Sequence, residues 1–329
     1  MTREQLQTQF PNLTFQENVV LAPFTYMKVG GTAKLFVEVE TVDDLFSLTS
    51  FCFTKNIPFS MLGGLSNSII SDEGLDRLVI RNKTSAIQFQ PAVGEKVQVI
   101  ADSGVITATL ASETMKHNLT GLEHFVGVPG TIGGAVYNNS HFTAHELIGN
   151  FIVSVDVCTE EGKKETWENE KLSFGYDYSF FHETKAVILQ ATFGLFLGDP
   201  VHIQEKMLEA AKKRTATQPI GVPSTGCMWR NPKIQQDALT KLQEKLSIPE
   251  SAIKVVNGNT QIAAGFLIDK AGLKGTQIGD AQVSEKHATY IINLGSASTK
   301  DIDTLATTVE QKVKETFGIE LEREVFFLE

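Results

Sequence analysis

The sequence predicts an α+β protein of two domains, and three observations support this prediction. The chain has 329 residues, more than a single domain usually contains. Segments with helical periodicity and segments with strand periodicity are mixed along it, without the strict alternation of parallel α/β folds. Pro219 and Pro223 then interrupt the pattern, and we predict a domain boundary between residues 218 and 219.

In the predicted first domain, each element follows from a local pattern. Thr41 can cap a helix in which Leu45, Leu48 and Cys52 recur at helical spacing. Apolar and β-branched runs predict the strands Ile57–Leu62, Leu78–Ile80, Val97–Ala101, Phe151–Cys158 and Val187–Phe196. Apolar residues on one face predict the helices Ile106–His117 and Val201–Arg214.

In the predicted second domain, the clearest element is the helix Asp301–Phe317. Its apolar residues fall on one stripe and Gly318 follows its last residue, as is typical of a helix end. Weaker patterns predict the helices Gln235–Leu246 and Ala264–Ala271, a strand at Ala288–Leu294 and a final strand at Glu320–Leu328.

Composition and charge restrict the class of protein. Hydrophobic residues make up 42% and charged residues 21%, which is typical of a globular protein. The net charge of −10 argues against non-specific binding of nucleic acid, which needs a positive field. The N-terminus has no apolar signal segment, and no stretch reaches about 18 apolar residues. We therefore expect a cytoplasmic protein that contacts no membrane. Separately, we expect a monomer.

Two glycine clusters are candidates for ligand binding. They are Gly63–Asn67, "GGLSN", and Gly127–Ala135, "GVPGTIGGA". Glycine is needed where the backbone takes a positive φ or approaches another group closely, and clustered backbone amides can bind a pyrophosphate. Neither cluster has the spacing of a dinucleotide fingerprint or a P-loop. The residues alone leave open whether these are phosphate sites or tight turns.

The three cysteines raise a separate question. Cys52, Cys158 and Cys227 are widely spaced and form no C-x-x-C pair, so we expect neither a disulfide nor a bound metal. Cys52 and Cys158 lie in helix and strand patterns, which predicts that both are core residues. Cys227 follows a glycine in "PSTGCMWRNP", Pro223–Pro232. It is either a small buried residue or a reactive group.

Seven segments occur in an order that resembles one enzyme family. They are "TYMKVGGTAKLFVE", "MLGGLSNSIISDEGL", "GLEHFVGVPGTIGGAVYNN", "FGYDYSFF", "PSTGCMWRNP", "AGFLIDKAGLKGTQIGDAQVSEKHATYIIN" and "FGIELEREVFF". From about Pro23 to Phe327 the chain is similar to the UDP-N-acetylenolpyruvoylglucosamine reductases, flavoenzymes of peptidoglycan precursor synthesis. The short run between "FGYDYSFF" and "PSTGC" resembles the shorter, second type of this family.

The resemblance implies a fold and two cofactors. Residues 1–218 would form an FAD-binding domain of the vanillyl-alcohol-oxidase type, made of two α/β subdomains divided near residues 80–90. Residues 219–329 would form an α+β substrate domain with an insertion at about 233–262. FAD and NADPH would be the cofactors. The implied FAD-lining residues are Tyr26, Leu62, Gly63, Gly64, Leu65, Ser66, Asn67, Gly127, Val128, Pro129, Gly130, Thr131, Gly133, Gly134 and Ala135.

The family reaction passes a hydride from NADPH through FAD to the enolpyruvyl ether of a UDP-sugar, and carbon C2 must then be protonated. By resemblance, Cys227 is the proton donor, and a thiol with a pKa of about 8.5 is a far stronger acid than an alcohol. Glu324 in "LEREV" matches the catalytic glutamate. Glu322 would share its face of the predicted final strand, so the motif alone selects Glu324. The implied substrate-binding residues are Tyr176, Arg214, Arg230 and Asn231.

For most of these residues a structural role remains open. Glu324 could be a solvated terminal charge, and Tyr176 an ordinary strand aromatic. Arg214 and Arg230 could form surface ion pairs. His287, in "SEKHATYIIN", is interpreted as structural.

Three departures from the family pattern leave two hypotheses. Asp177 stands where the family has a catalytic arginine, Leu65 replaces a glycine, and residues 138–146 replace a different loop. An ionised Asp177 about 4 Å from the developing charge would oppose it by roughly 4 kcal/mol at an effective dielectric constant of about 20. The chain is then either an active reductase, with Arg230 or Arg323 as the compensating cation, or an inactive relative that binds flavin or sugar nucleotide.

Overall fold

The computed structural model describes residues 1–143, 146–256 and 258–329. The chain divides into two compact units. The first unit contains residues 1–19, 33–64 and 75–216, and the second contains residues 20–32, 65–74 and 217–329. Tyr26 and the segment 65–67 therefore belong to the second unit. Which ligand each unit binds remains a prediction.

The described helices and strands are numbered here in chain order. The helices are α1 (Arg3–Gln9), α2 (Val42–Thr54), α3 (Thr107–Lys116), α4 (Ile132–Tyr137), α5 (Pro200–Thr217), α6 (Gln236–Lys245), α7 (Ala264–Lys270) and α8 (Thr299–Phe317). The strands are β1 (Gln16–Val20), β2 (Thr32–Val39), β3 (Phe59–Leu62), β4 (Ser68–Ile70), β5 (Leu75–Asn82), β6 (Ile87–Phe89), β7 (Lys96–Asp102), β8 (Leu119–Thr120), β9 (Ile152–Cys158), β10 (Lys164–Glu168), β11 (Val187–Leu197), β12 (Ser224–Cys227), β13 (Ile253–Val256), β14 (Asn259–Ile262), β15 (Gln277–Ile278), β16 (Ala281–Val283), β17 (Tyr290–Asn293) and β18 (Phe326–Leu328).

The first unit contains two sheets. The first has the order β1–β2–β5–β3, and β5 runs parallel to both of its neighbours. The second has the order β10–β9–β11–β7–β6 with antiparallel pairs, and β8 joins it at β11. Helix α2 packs its buried face against residues of both sheets. The mixture of helices with parallel and antiparallel strands confirms the predicted α+β class.

Cys52 and Cys158 lie fully buried in one apolar cluster of the first unit, as their sequence patterns predict. Burial, with the neighbouring Cys158, raises the pKa of Cys52 to about 12. Burial also raises the pKa of Cys158. Both thiols are therefore protonated and unreactive in the folded protein.

The second unit is organised around α8 and an antiparallel sheet of order β12–β17–β16–β15. The predicted stripe of α8, including Ile302, Leu305 and Val309, is buried in the core of this unit. Gly318 ends the helix with a φ of 70°, the left-handed conformation that glycine adopts at low cost. Helix α6 and the β13–β14 hairpin lie in the predicted insertion, whose residue Asn257 falls outside the described residues.

The C-terminal segment differs from its prediction. A continuous strand over Glu320–Leu328 is wrong, because the regular strand is β18 alone, parallel to β4. Residues 322–324 instead pair with residues 228–230: Arg230 N donates to Glu322 O (3.0 Å), and Glu324 N donates to Met228 O (2.9 Å). The segment therefore changes its pairing partner near Val325, after Glu322 and Glu324.

No helix in the described parts of the chain is both long enough and apolar enough to cross a bilayer.

Glu123 is a buried carboxylate in the short 3₁₀ helix that leads into the second glycine cluster. It accepts hydrogen bonds from the Thr120 hydroxyl and from Gly121 N (2.7 Å), and Lys206 Nζ lies 3.9 Å away. Burial alone would raise its pKa, but the hydrogen bonds and the lysine charge together lower the pKa of Glu123 below its usual value.

We expect Glu123→Gln to lower the free energy of unfolding by about 1–3 kcal/mol at pH 7, because it disrupts buried, charge-assisted hydrogen bonds. Since the folded pKa is depressed, the stabilisation by Glu123 is present above its unfolded pKa of about 4.3 and is lost as the pH falls through the folded pKa. Urea unfolding between pH 3 and 7, with the exposed Glu170→Gln as control, measures both effects. Equal stability of Glu123→Gln and the parent at pH 7 would contradict this prediction.

Candidate functional site

The two glycine clusters meet in the first unit. Gly63 and Gly64 follow β3, and Gly130 and Thr131 precede α4. A Cβ atom added to Gly64 would lie 2.8 Å from Gly130 Cα and 3.2 Å from Gly130 C. These distances are shorter than packed carbon atoms allow, so the two backbones approach each other only because residue 64 is glycine.

Backbone amides at this contact are free to bind a ligand. Within the described residues, the N–H groups of Gly63, Gly64, Gly130 and Thr131 donate to no acceptor. Other amides of the second cluster are already used, since Ile132 N donates to Val105 O (2.8 Å) and Gly133 N to Ser103 O (2.7 Å). A phosphate at this contact would therefore use amides from both clusters, but not those of residues 132 and 133.

Arg214 lies against the second cluster. It is in the last turn of α5, and a Cβ atom on Gly127 would lie 2.4 Å from Arg214 Cδ. The close approach of the arginine side chain thus requires glycine at position 127. A half-buried guanidinium beside a group of amides is an arrangement that favours a phosphate.

The remaining residues of the first cluster lie in the second unit. Leu65 is buried and has a φ of 53°, the left-handed conformation usual for glycine. The replacement of glycine by leucine therefore does not remove that backbone conformation. Asn67 Nδ2 donates to Glu324 O (3.3 Å), and Phe326 N donates to Asn67 O (3.1 Å). Asn67 thus holds the segment that carries Glu324.

The structure brings Cys227 and Glu324 onto neighbouring segments of the second unit. Cys227 is the last residue of β12, and the residue after it, Met228, accepts the hydrogen bond from Glu324 N. Gly226 precedes the cysteine with a φ of 82°. The two predicted catalytic residues are thus held together by backbone pairing between distant parts of the chain.

Two residues outside the predicted site form a series of contacts with Cys227: Thr289 contacts the thiol, and His287 contacts Thr289. The Thr289 hydroxyl donates to Cys227 Sγ (3.2 Å) and lies 2.8 Å from His287 Nδ1. Burial, followed by the charge of Lys274, lowers the pKa of His287. The sequence predicts a structural role for His287, and no pattern in the sequence singles out Thr289. The two residues lie in a turn that the hydrogen bond from Tyr290 N to His287 O (2.9 Å) closes, and strand or helix periodicity gives no signal for such a contact.

The two arginines proposed as compensating cations differ. Arg323 is held by the carboxylates of Glu310 (2.7 Å) and Asp303 (2.5 Å), so its charge is neutralised within the second unit. Arg230 forms no ion pair in the described part of the chain, and its buried Nε has no acceptor there. Arg230 therefore remains the candidate cation. The side-chain oxygen of the next residue, Asn231, accepts from Ala264 N (3.0 Å) at the start of α7.

Two of the departures from the family pattern contact each other in the first unit. His141 Nδ1 lies 3.1 Å from Asp177 Oδ1, and His141 Nε2 lies 3.2 Å from the Tyr176 hydroxyl. Asp177 is buried with a φ of 52°. His141 belongs to the replaced loop, of which residues 144 and 145 fall outside the described residues. The unusual aspartate is therefore paired with a histidine from the unusual loop.

Comparison with known proteins agrees with this geometry. Residues 218–328 match the family model for the C-terminal domain of UDP-N-acetylenolpyruvoylglucosamine reductase, and residues 33–166 match that for an FAD binding domain. The UDP-N-acetylenolpyruvoylglucosamine reductase of Listeria innocua is 34% identical over 97% of this chain and 97% of its own length. The chain belongs to the UDP-N-acetylenolpyruvoylglucosamine reductase family.

Two further relatives extend the match. The UDP-N-acetylenolpyruvoylglucosamine reductase of Protochlamydia amoebophila is 34% identical over 97% of this chain and 95% of its own length. The crystal structure of the Thermus caldophilus UDP-N-acetylenolpyruvylglucosamine reductase superposes with a TM-score of 0.73 at 28% identity, covering 96% of this chain and 100% of the other. The predicted family is therefore confirmed, as is FAD as the cofactor.

The residues present fit this cofactor. The Gly64–Gly130 contact leaves a cradle that a Cβ atom would disrupt. Amides of both clusters that have no acceptor among the described residues lie there, and Arg214 lies beside the second cluster. The described side chains include no group of three or more His, Cys, Asp or Glu residues that could hold a metal ion. Which residues contact FAD in this reductase-family chain remains a prediction from the motifs.

We expect Gly64→Ala to purify without bound FAD, because its methyl group would displace the backbone of Gly130. The flavin absorbance per protein measures this. Gly94→Ala is the control: Gly94 also has a positive φ, 63°, but a Cβ atom there would meet nothing within 4 Å. It should lose about 1 kcal/mol of stability and keep its flavin. Parental flavin content in Gly64→Ala would contradict the placement.

We expect His141 and Asp177 to be energetically coupled. His141→Ala leaves a buried carboxylate without its partner, and Asp177→Asn removes the charge while retaining a residue type that tolerates a positive φ. Each change should lower the free energy of unfolding by about 1–3 kcal/mol, and the double variant should lose at least about 0.5 kcal/mol less than their sum. Additive losses in urea unfolding would show that the two residues act independently.

Proposed function

We propose that the chain reduces the enolpyruvyl ether of UDP-N-acetylglucosamine-enolpyruvate to the lactyl ether of UDP-N-acetylmuramate, with NADPH as the reductant, in peptidoglycan precursor synthesis. One observation carries this proposal: in the second unit, Cys227 and Glu324, the acid and the carboxyl group that the reaction needs, lie on paired segments. Family membership supports the same conclusion.

The chemistry that FAD supplies when bound is the transfer of a hydride from NADPH to C3 of the enolpyruvyl group. The free amides of Gly63, Gly64, Gly130 and Thr131 would hold its pyrophosphate, and Arg214 would add a positive charge beside the second cluster. These residues bind and orient the cofactor and take no part in proton transfer.

The proton comes from Cys227 in this proposal. Addition of a hydride at C3 leaves negative charge at C2, delocalised into the substrate carboxylate. A thiol with a pKa near 8.5 is protonated at pH 7 and can transfer its proton to C2. The S–H bond breaks, the C2–H bond forms, and Cys227 is left as a thiolate.

Arg230 and Glu324 would stabilise the charge that develops on the substrate. Arg230 is a cation without an ion-pair partner among the described residues, three positions after Cys227 in the sequence. At about 4 Å and an effective dielectric constant of about 20, such a cation stabilises a unit negative charge by roughly 4 kcal/mol. Glu324 is half-buried, and its carboxyl group, when protonated, can donate a hydrogen bond to the substrate carboxylate.

The alternative, an inactive relative that binds its ligands, rests on Asp177 in the position of the family arginine. One oxygen of that carboxylate, Oδ1, lies 3.1 Å from His141 Nδ1, so Asp177 has a hydrogen-bond partner in the first unit. This pairing favours the active enzyme.

Anaerobic flavin spectroscopy tests the proposed function. The purified protein should be yellow, lose its flavin absorbance on addition of NADPH, and regain it when the enolpyruvyl sugar nucleotide is added. Mass spectrometry should then identify a product two hydrogen atoms heavier than the substrate. A protein that binds the sugar nucleotide but never regains its flavin absorbance would be the inactive relative.

We expect Cys227→Ala to slow the recovery of flavin absorbance by the sugar nucleotide about 10²–10⁴-fold, the usual contribution of a general acid. Bleaching by NADPH should be unchanged, because C2 is not protonated in that step, and this half of the reaction serves as the internal control. Cys227→Ser should keep measurable activity, since a hydroxyl can still donate a proton. Recovery at the parental rate in Cys227→Ala would remove the thiol from the mechanism.

A further inference from the structure

In the second unit, three polar side chains form a hydrogen-bonded series that begins at Cys227. Thr289 Oγ1 is within hydrogen-bonding distance of both Cys227 Sγ (3.2 Å) and His287 Nδ1 (2.8 Å). Thr289 is only 4% exposed, so its hydroxyl is shielded from bulk water. His287 is half-buried. The three groups thus form a path from the thiol to a ring nearer the surface.

The single hydroxyl proton sets the direction of these hydrogen bonds. Because Thr289 donates to Cys227 Sγ, its oxygen must accept at the other contact, and His287 Nδ1 is then the N–H donor. In this arrangement the sulfur accepts a hydrogen bond from Thr289, and the S–H proton does not point at Thr289. The same hydrogen bond stabilises the thiolate once that proton has been transferred.

Backbone contacts hold the three residues in place. Met228 N donates to Thr289 O (2.7 Å), and Cys227 pairs with Tyr290 where β12 meets β17. His287 N donates to Ser284 Oγ (3.3 Å), which fixes the loop before Thr289. The contact between thiol and hydroxyl is therefore part of the sheet geometry and does not depend on a long, mobile side chain.

We propose that Thr289 and His287 form a proton relay that returns a proton to Cys227 after each turnover, with solvent water as the proton source. The proposal rests on the proposed function, because it assumes that Cys227 is the acid. Thr289 and His287 act through the cysteine, so both are positioning and relay residues.

The relay balances in protons. The Thr289 O–H proton passes to the Cys227 thiolate and forms the S–H bond, while the His287 Nδ1 proton passes to Thr289 Oγ1 and restores the hydroxyl. A proton from water binds His287 Nε2 in the same process, so the ring stays neutral, now as the Nε2–H tautomer, and hydroxide is left in the solvent. Exchange with water then moves the ring proton from Nε2 back to Nδ1, and rotation of the S–H and O–H bonds restores the starting arrangement before the next turnover. Because burial lowers the pKa of His287, the ring is neutral near pH 7 and able to exchange one proton for another.

Thiol labelling tests the contact between Thr289 and the sulfur without substrate. In the native protein, iodoacetamide should label Cys227 and spare the buried Cys52 and Cys158. Thr289→Val removes the hydroxyl that stabilises the thiolate, so we expect it to raise the pKa of the Cys227 thiol. A smaller fraction of the thiol is then ionised near pH 7.5, and labelling should be about 3- to 10-fold slower. The higher nucleophilicity of the remaining thiolate compensates for only part of this loss. Thr289→Ser should label at the parental rate. The exposed Thr304→Val on α8 is the matched control.

A comparison of the rate of the first turnover with the rate of later turnovers distinguishes a proton relay from a structural role. In His287→Ala, the first recovery of flavin absorbance uses the proton already on Cys227 and should occur at the parental rate. Steady-state turnover should fall about 10- to 100-fold, and added imidazole should restore part of it. Thr289→Val should also slow steady-state turnover, about 10- to 100-fold, without rescue by imidazole, and Thr289→Ser should restore it.

Several results would overturn the relay. Parental labelling of Thr289→Val would show that the hydroxyl does not stabilise the thiolate. Parental steady-state turnover in His287→Ala, or an equal loss in its first and later turnovers, would exclude the histidine as a proton carrier. If the parent itself never regains flavin absorbance, the proposed function has failed and the relay falls with it, whatever the labelling shows.

Discussion

A short antiparallel pairing in the second unit is the constraint on which the candidate chemistry depends. The backbone hydrogen bonds of Arg230 N to Glu322 O and of Glu324 N to Met228 O join two segments far apart in the sequence. Cys227, Arg230 and Glu324 all lie within or beside this pairing. It also explains why the regular strand begins only at Phe326: the preceding residues are already paired with a different partner. A small amount of backbone structure thus brings together the segments that carry Cys227, Arg230 and Glu324.

In the first unit, the feature that matters for the candidate site is a close contact between two backbones, beside which several backbone amides lie. Gly64 and Gly130 pack backbone to backbone, and in the described part of the chain the N–H groups of Gly63, Gly64, Gly130 and Thr131 donate to no acceptor. The sequence shows that glycine recurs in both clusters, but not which amides are free. The amides of Ile132 and Gly133 serve the fold, since they donate to the loop of residues 103–105. The clusters therefore contain amides that serve the fold and, among the described residues, others that have no acceptor.

The departures from the family pattern can be understood only together. Asp177 alone suggests a lost charge, and the loop at residues 138–146 alone suggests an unrelated surface change. The structure pairs Asp177 with His141 from that loop, and His141 also contacts Tyr176. The two changes thus form one local arrangement, in which a buried carboxylate is matched by an imidazole. Leu65 is a milder case, because it adopts the left-handed conformation expected of the glycine that it replaces.

By itself, the sequence determined those features that depend on residues close to one another along the chain. The apolar stripe and closing glycine placed α8 at Asp301–Phe317, against Thr299–Phe317 in the structure, and the ordered motifs identified the family and its cofactor. Only the tertiary structure decided the contacts of Cys227 with Thr289 and of Asp177 with His141, and the change of partner near Val325. Helical periodicity repeats every few residues and is readable locally. Contacts between distant segments leave no comparable local pattern, because they depend on how strands and loops pair in three dimensions.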